Sequence, residues 1–207
     1  MKKKHIIILG IVAGIVVSII AFVSVNAKKS NYREYDIIIK NALSPTLGYE
    51  NSKDSIVEYF DFTCPHCANF HLENLPKLYE EYIKTGKLKF ISKIFLLRPQ
   101  SIYPALASRC AYEQNKYWSY SKRLFEEFLK SGPFSYNRAN YIRIASELNL
   151  DTIKFRECFD SQKYKDVILN ETNEALKREV KATPTFFINN QKVEGNLPYD
   201  EFVKYIR

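Results

Sequence analysis

Two cysteines with two residues between them, Cys64-Pro65-His66-Cys67, are the part of this 207-residue chain best equipped for chemistry. They follow the alternating apolar and aromatic run Ser55 to Phe62 and open a stretch with helical spacing. A cysteine at a helix start meets free backbone N–H groups and the positive end of the helix dipole. Both stabilise the thiolate, the form that attacks sulfur. Cys64, the outer of the pair, is the expected nucleophile, and Cys67, one turn inside, the expected resolving thiol. His66 would place an imidazole beside Cys64 and pull its pKa into the range of activated thiols, roughly 3.5 to 7.5. Zinc is the competing chemistry, because Cys64, His66, Cys67 and His71 cluster. A structural site needs four ligands, commonly from two such knuckles, and the remaining cysteines, Cys110 and Cys158, stand far along the chain. Neither a metal nor a prosthetic group is expected.

The elements that must hold this pair follow from periodicity and punctuation. Ser55 to Phe62 reads as a strand, and its alternation puts Ile56, Glu58, Phe60 and Phe62 on one side. A carboxylate there, beneath a covered face, would have a raised pKa and could pass a proton to or from Cys67. The other reading is a partly solvated glutamate with no role, and alternation leaves both open. After the cysteines, Ala68, Leu72, Leu75, Tyr79 and Tyr82 recur at helical spacing with Pro76 inside, which predicts a kinked helix ending at Gly86. Lys87 to Leu97 is a second buried strand. Ser44 to Gly48 is a turn, and Tyr35 to Lys40 a short helix or strand. From Pro99 to Lys181 the spacing is helical: residues 105–120, 122–130, 138–149 and 152–179, with Asp151 as an N-cap. Phe186 to Asn189 and Gln191 to Glu194 form a hairpin, and Pro198 to Ile206 a last helix. Trp118, Tyr117 and Tyr120 read as packing in the helical part.

Near the end, Thr183-Pro184-Thr185 precedes the apolar run Phe186-Phe187-Ile188. A proline there cannot donate to a sheet ladder and suits a tight turn, cis or trans. Glu58-Tyr59-Phe60-Asp61-Phe62-Thr63-Cys64-Pro65-His66-Cys67 together with Thr183 to Ile188 resembles the bacterial DsbA-like disulfide oxidoreductases, over about residues 45 to 207. The resemblance implies an α/β thioredoxin fold. Its first half would span residues 55–98 and its second 182–207, with a helical insertion at 99–181 and an N-terminal extension at 28–54 in front. It also implies that Thr183 and a cis Pro184 bind client peptide in strand fashion beside the dithiol. Members of the family often carry an acid at the Glu58 position and a second one seven residues after the first cysteine; here that second position is His71. The activity implied is introduction of disulfides into newly translocated polypeptides with free cysteines, and a quinone-linked membrane partner of the DsbB type would reoxidise the dithiol. Two alternatives stand beside it: an isomerase or reductant for particular clients, and a redox-inactive binding module using the same groove.

Lys2, Lys3 and Lys4 precede an apolar run from Ile6 to Val25, and Val25-Asn26-Ala27 has the small-residue pattern of a signal-peptidase site. Residues 1–27 are therefore expected to be a signal peptide. The run is also about the ~20 residues that cross a bilayer, so an uncleaved anchor is the alternative. Either places the remainder outside the cytoplasmic membrane, in the periplasm or tethered facing outward, where disulfides persist. Four cysteines in such a compartment, two of them already paired in the motif, leave Cys110 and Cys158 to bond with each other, unless both are buried free thiols. The formal charge of +8 at pH 7 is interspersed with acids, as at Lys177-Arg178-Glu179, and no groove-reading motif accompanies it. Nucleic-acid binding is not expected. With 46% hydrophobic residues the chain can bury a substantial core, and it is expected to act as a monomer.

Overall fold

The structure, a computed structural model, describes residues 34–35, 38–39, 44–206. The lysine-led apolar segment and its cleavage motif lie outside the described residues. Among those described, no helix is long and apolar enough to cross a membrane.

Central to the fold is β2, Asp54–Phe60, built from β-branched and aromatic residues and flanked on both sides. It pairs in parallel with β3, Leu88–Ile94, and antiparallel with β4, Thr185–Ile188. β5, Gln191–Glu194, extends the sheet antiparallel to β4, and the two-residue β1, Thr46–Leu47, pairs antiparallel with β3. The strand order is β1-β3-β2-β4-β5. Two parallel neighbours need a crossover, and α1, residues 65–83, supplies it. That helix begins as α-helix at Pro65–Asn69, widens to a π-helical turn at Phe70–Asn74, returns to α at Leu75–Leu78 and widens again at Tyr79–Ile83. Pro76 lacks the N–H its place in the ladder calls for, and the first π turn lies directly before it.

Side-chain alternation decides what each sheet face holds. Ile56, Phe90, Phe186 and Ile188 meet α1 on one face. There the Phe70 ring stands 4.5 Å from Phe186, 5.4 Å from Phe202 and 6.0 Å from Phe90, centroid to centroid. A fully buried phenylalanine contributes roughly 1.5 to 3 kcal/mol over an exposed one, so this cluster fixes α1 on the sheet. The opposite face carries Tyr59, Phe95 and Phe187 against Ala175 and Val180.

Five helices separate β3 from β4: α2, Ile102–Glu113; α3, Tyr117–Ser131; α4, Arg138–Glu147; α5, Thr152–Asp160; and α6, Lys165–Lys177. Asp151 caps α5 through Ile153 N–H and Lys154 N–H, as its type and place predict. Besides shifts of a few residues at helix ends and the run of α3 straight through Ser121, two breaks depart from the periodicity. Residues 105–120 are not one helix, because Asn115 takes a left-handed φ of 56° and Lys116 N–H closes back on the Ala111 carbonyl. Likewise, 152–179 is broken where Gln162, at φ 52°, lets Lys163 N–H reach the Cys158 carbonyl. Both are six-to-one closures that glycine usually makes.

Smaller differences have local causes. The segment read as a turn at Ser44 to Gly48 contains β1, whose end is set by Gly48 at φ 103°; a Cβ there would stand 2.6 Å from the Leu88 carbonyl oxygen. β3 stops at Ile94 rather than Leu97, since Thr172 Oγ1 accepts from Leu96 N–H and Asp61 from Leu97 N–H. The final helix is short: α7, Tyr199–Phe202, passes into a 3₁₀ turn at Val203–Tyr205. Of Tyr35 to Lys40, Ile38 makes a single antiparallel bridge to Leu47.

Candidate functional site

Cys64 is the N-cap of α1, with extended backbone (φ −98°, ψ 117°), and its carbonyl accepts the first helical hydrogen bond from Ala68 N–H at 3.1 Å. The turn that delivers it is held by Asp61. That buried carboxylate accepts from Thr63 N–H and Thr63 Oγ1, each at 2.6 Å, and from Leu97 N–H at 2.7 Å. Asp61 was absent from the residues expected to matter; its only sequence signal is the Asp-x-Thr spacing that builds such turns.

Both sulfurs are more enclosed than a surface nucleophile would be. Cys64 keeps 6% of its surface and Cys67 none, so both sulfurs are buried and Cys64 is the more accessible of the two. The cis Thr183–Pro184 peptide brings the Thr183 carbonyl to 3.2 Å from Cys64 Sγ, where it accepts from the thiol. Thr183 Oγ1, buried and otherwise without a hydrogen-bond partner, is available to the thiolate.

The two thiols are driven apart in acidity. Cys64 is lowered to about 6, first by a hydrogen bond from Cys67; burial opposes this, and hydrogen bonds from the Thr183 side chain and the Cys67 and His66 backbone N–H groups add to it. Roughly nine-tenths of Cys64 is then thiolate at pH 7. Cys67 is pushed up, foremost by burial, then by its hydrogen bond to Cys64 and the nearby charges of Cys64 and Glu58. The side chain of His66 is exposed, and its residue acts on Cys64 through the backbone N–H of the helix start. The imidazole expected to add to the thiolate's stability is not among the leading causes of the Cys64 acidity.

Glu58 is fully buried on the α1 side of the sheet, opposite Ser92 in the β2–β3 register. His71 Nε2 lies 3.1 and 2.9 Å from its two carboxylate oxygens, and Ser92 Oγ donates to Oε2 at 3.3 Å. His71 is thus turned onto Glu58 rather than toward the sulfurs' outer side, and the four residues of the zinc alternative do not converge. Among the described residues no group of three His, Cys, Asp or Glu side chains is placed to hold a metal. Cys110 and Cys158, on α2 and α5, are joined by a disulfide with Cα atoms 5.8 Å apart.

A parallel-antiparallel sheet of this order, a dithiol at the start of the crossover helix and a cis-proline loop against its outer sulfur define a thioredoxin-fold dithiol protein. The thioredoxin family model matches residues 40–207, and the chain belongs to that family, in its DsbA-like branch. The solved structure of α-DsbA1 from Wolbachia pipientis is 30% identical, with a TM-score of 0.67 over 83% of this chain and 92% of its own. Oxidised BdbD from Bacillus subtilis, at 22% identity and a TM-score of 0.69 over 84% of this chain and 97% of its own, shares the fold. Among curated relatives, disulfide bond formation protein D of Bacillus subtilis is 29% identical over 78% of this chain and 75% of its own length. A Rickettsia typhi relative is 28% identical over 72% of this chain and 56% of its own. The chain spans little more than half the length of the Rickettsia relatives it matches. The fold and family expected from the cysteine and proline motifs are those found.

Proposed function

We propose that the protein is an exported thiol-disulfide oxidoreductase that introduces disulfides into unfolded or newly translocated polypeptides through Cys64 and Cys67. The observation that carries this reading is the unequal pair: an outer thiol stable as thiolate beside an inner one that is not. A stable thiolate favours the reduced dithiol, so the oxidised form gives its disulfide away. A client thiolate attacks Cys64 Sγ, forming a client–Cys64 bond while the Cys64–Cys67 bond breaks and its electron pair stays on Cys67. A second client thiolate then attacks the client sulfur of that mixed disulfide. The Cys64 thiolate leaves readily because its conjugate thiol is acidic.

Thr183 and Pro184 form the wall against which an extended client segment lies, its backbone pairing with that of Thr183. Glu58 is the buried group through which Cys67 gains and loses its proton. Reoxidation falls to a quinone-linked membrane partner of the DsbB type, and the chain acts as a monomer. Residues 1–27 direct it out of the cytoplasm, to the periplasm or to an outward-facing tether. The disulfide between Cys110 and Cys158 supports an oxidising compartment.

Mixing oxidised protein with a reduced, unfolded polypeptide tests the reading. Disulfides appear in the client as the dithiol is reduced, Cys64→Ala abolishes transfer, and Cys67→Ala, its Cys64 first loaded as a mixed disulfide with glutathione, releases the glutathione thiolate to a single-cysteine client and retains that client as a mixed disulfide. Transfer that persists in Cys64→Ala contradicts it.

A further inference from the structure

His71 has no part in the transfer just described, yet it is buried against Glu58, whose charge acts on the resolving thiol. It lies four residues after Cys67 on α1, on the same side of the helix one turn on. Its ring is enclosed by Phe60, Phe70 and Phe125, with centroids 5.0, 5.9 and 4.7 Å away. Nε2 meets both oxygens of Glu58, and neither side chain has appreciable exposure: 3% for His71 and none for Glu58. A lone carboxylate in such a place is costly, and a second anion created beside it on Cys67 is costlier. An imidazole at hydrogen-bond distance changes that balance, because the pair can hold one proton between its two members and remain neutral overall.

We propose that His71 and Glu58 act together as the proton store for Cys67, with His71 the positioning and charge-balancing residue that makes Glu58 usable as its donor. The inference rests on the oxidant reading above and adds where the proton resides. When a client thiolate opens the Cys64–Cys67 bond, the electron pair left on Cys67 takes the proton held between Glu58 and His71. The pair is left as carboxylate and neutral imidazole. In reoxidation the direction reverses: Cys67 returns its proton to the pair as its sulfur attacks.

The other groups facing the pair are few. β3 offers Ser92, whose hydroxyl donates to Glu58 and lies 3.5 Å from Tyr117 Oη of α3. Tyr117 is in turn influenced by Arg109 of α2 and Glu171 of α6, which are ion-paired with each other. On α1 itself the facing titratable group is Cys67.

The test is single-turnover reduction of the oxidised full chain by excess reduced glutathione, acid-quenched at millisecond intervals from pH 5 to 9. Each rate constant is divided by the glutathione thiolate fraction. In the wild type the corrected rate constant falls on the alkaline side, where the pair loses its shared proton. His71→Gln keeps a hydrogen-bond donor to Glu58 but cannot ionise; it loses that falling limb and runs at least ten-fold slower at pH 7. The titration midpoint of Cys64, read from thiolate absorbance of the reduced protein, stays where it is. If His71→Gln proves unfolded, Glu58→Gln carries the test and loses the limb in the same way. A variant that keeps the wild-type rate and profile overturns the proposal, as does a wild-type profile without the limb. Wild-type protein that fails to oxidise glutathione at any pH instead contradicts the oxidant reading itself.

Discussion

Replacing Cys67 with alanine removes the first of the forces that make Cys64 acidic, the hydrogen bond from the inner thiol. A hydrogen bond to a charged group contributes about 1.5 to 3 kcal/mol, and a thiol is a weak donor, so about 1.5 kcal/mol is the working figure. One pKa unit corresponds to ~1.36 kcal/mol, and the Cys64 midpoint rises by about one unit. Starting from about 6, the thiolate share at pH 7 drops from roughly nine-tenths to roughly one-half. The Thr183 side chain and the N–H groups of the helix start remain, so the thiol stays more acidic than a free cysteine. Thiolate absorbance near 240 nm, titrated from pH 4 to 10 in reduced Cys67→Ala protein and in the reduced wild type, reads both midpoints. Equal midpoints would refute the reasoning and would assign the acidity to the helix start and the proline loop alone.

Further outcomes follow from other parts of the structure. His66→Ser moves the Cys64 midpoint less than Cys67→Ala does, because the serine keeps the backbone N–H through which residue 66 acts; a larger shift in the same titration would assign the imidazole the leading role. In the reduced protein the depressed Cys64 pKa contributes stability that is fully present above the unfolded thiol's pKa and is lost as pH falls through about 6. Chemical denaturation of the reduced form at pH 5 and 8 therefore shows a gain at pH 8 that Cys64→Ala lacks. Arg109→Ala leaves the Glu171 carboxylate buried without its ion-pair partner and costs about 3 to 5 kcal/mol, measured by urea unfolding of the oxidised protein.

The dithiol was legible because its chemistry is local: residue type, spacing and a following helix are all in one continuous stretch of sequence. The strand carrying Glu58 was legible too, but alternation gives the side of a strand and not what covers it. Burial of Glu58 arises from α1 laid over the sheet by Phe70, Phe90, Phe186 and Phe202, residues scattered over more than 130 positions. The partnership of His71 with Glu58 depends on the same packing. The helix breaks at Asn115 and Gln162 escaped the periodicity for a different reason. Left-handed closures are usually marked by glycine, and here a residue with a Cβ is held there by its helix's last carbonyls. Asp61 was read as one more strand residue, although its side chain, together with its carbonyl accepting from Cys64 N–H, fixes the turn before Cys64.

The central claim is that this pair is poised to give its disulfide away, and its equilibrium with glutathione measures that directly. The oxidised and reduced fractions are read after equilibration over a series of glutathione ratios from pH 5 to 8. An acid outer thiol beside an unionised inner one predicts a midpoint that falls by about 59 mV per pH unit below about 6 and by about half of that above it, because one fewer proton then accompanies the two electrons. At pH 7 the midpoint lies well above thioredoxin's value of about −270 mV. A midpoint near −270 mV, with a single slope through the whole range, would contradict the account.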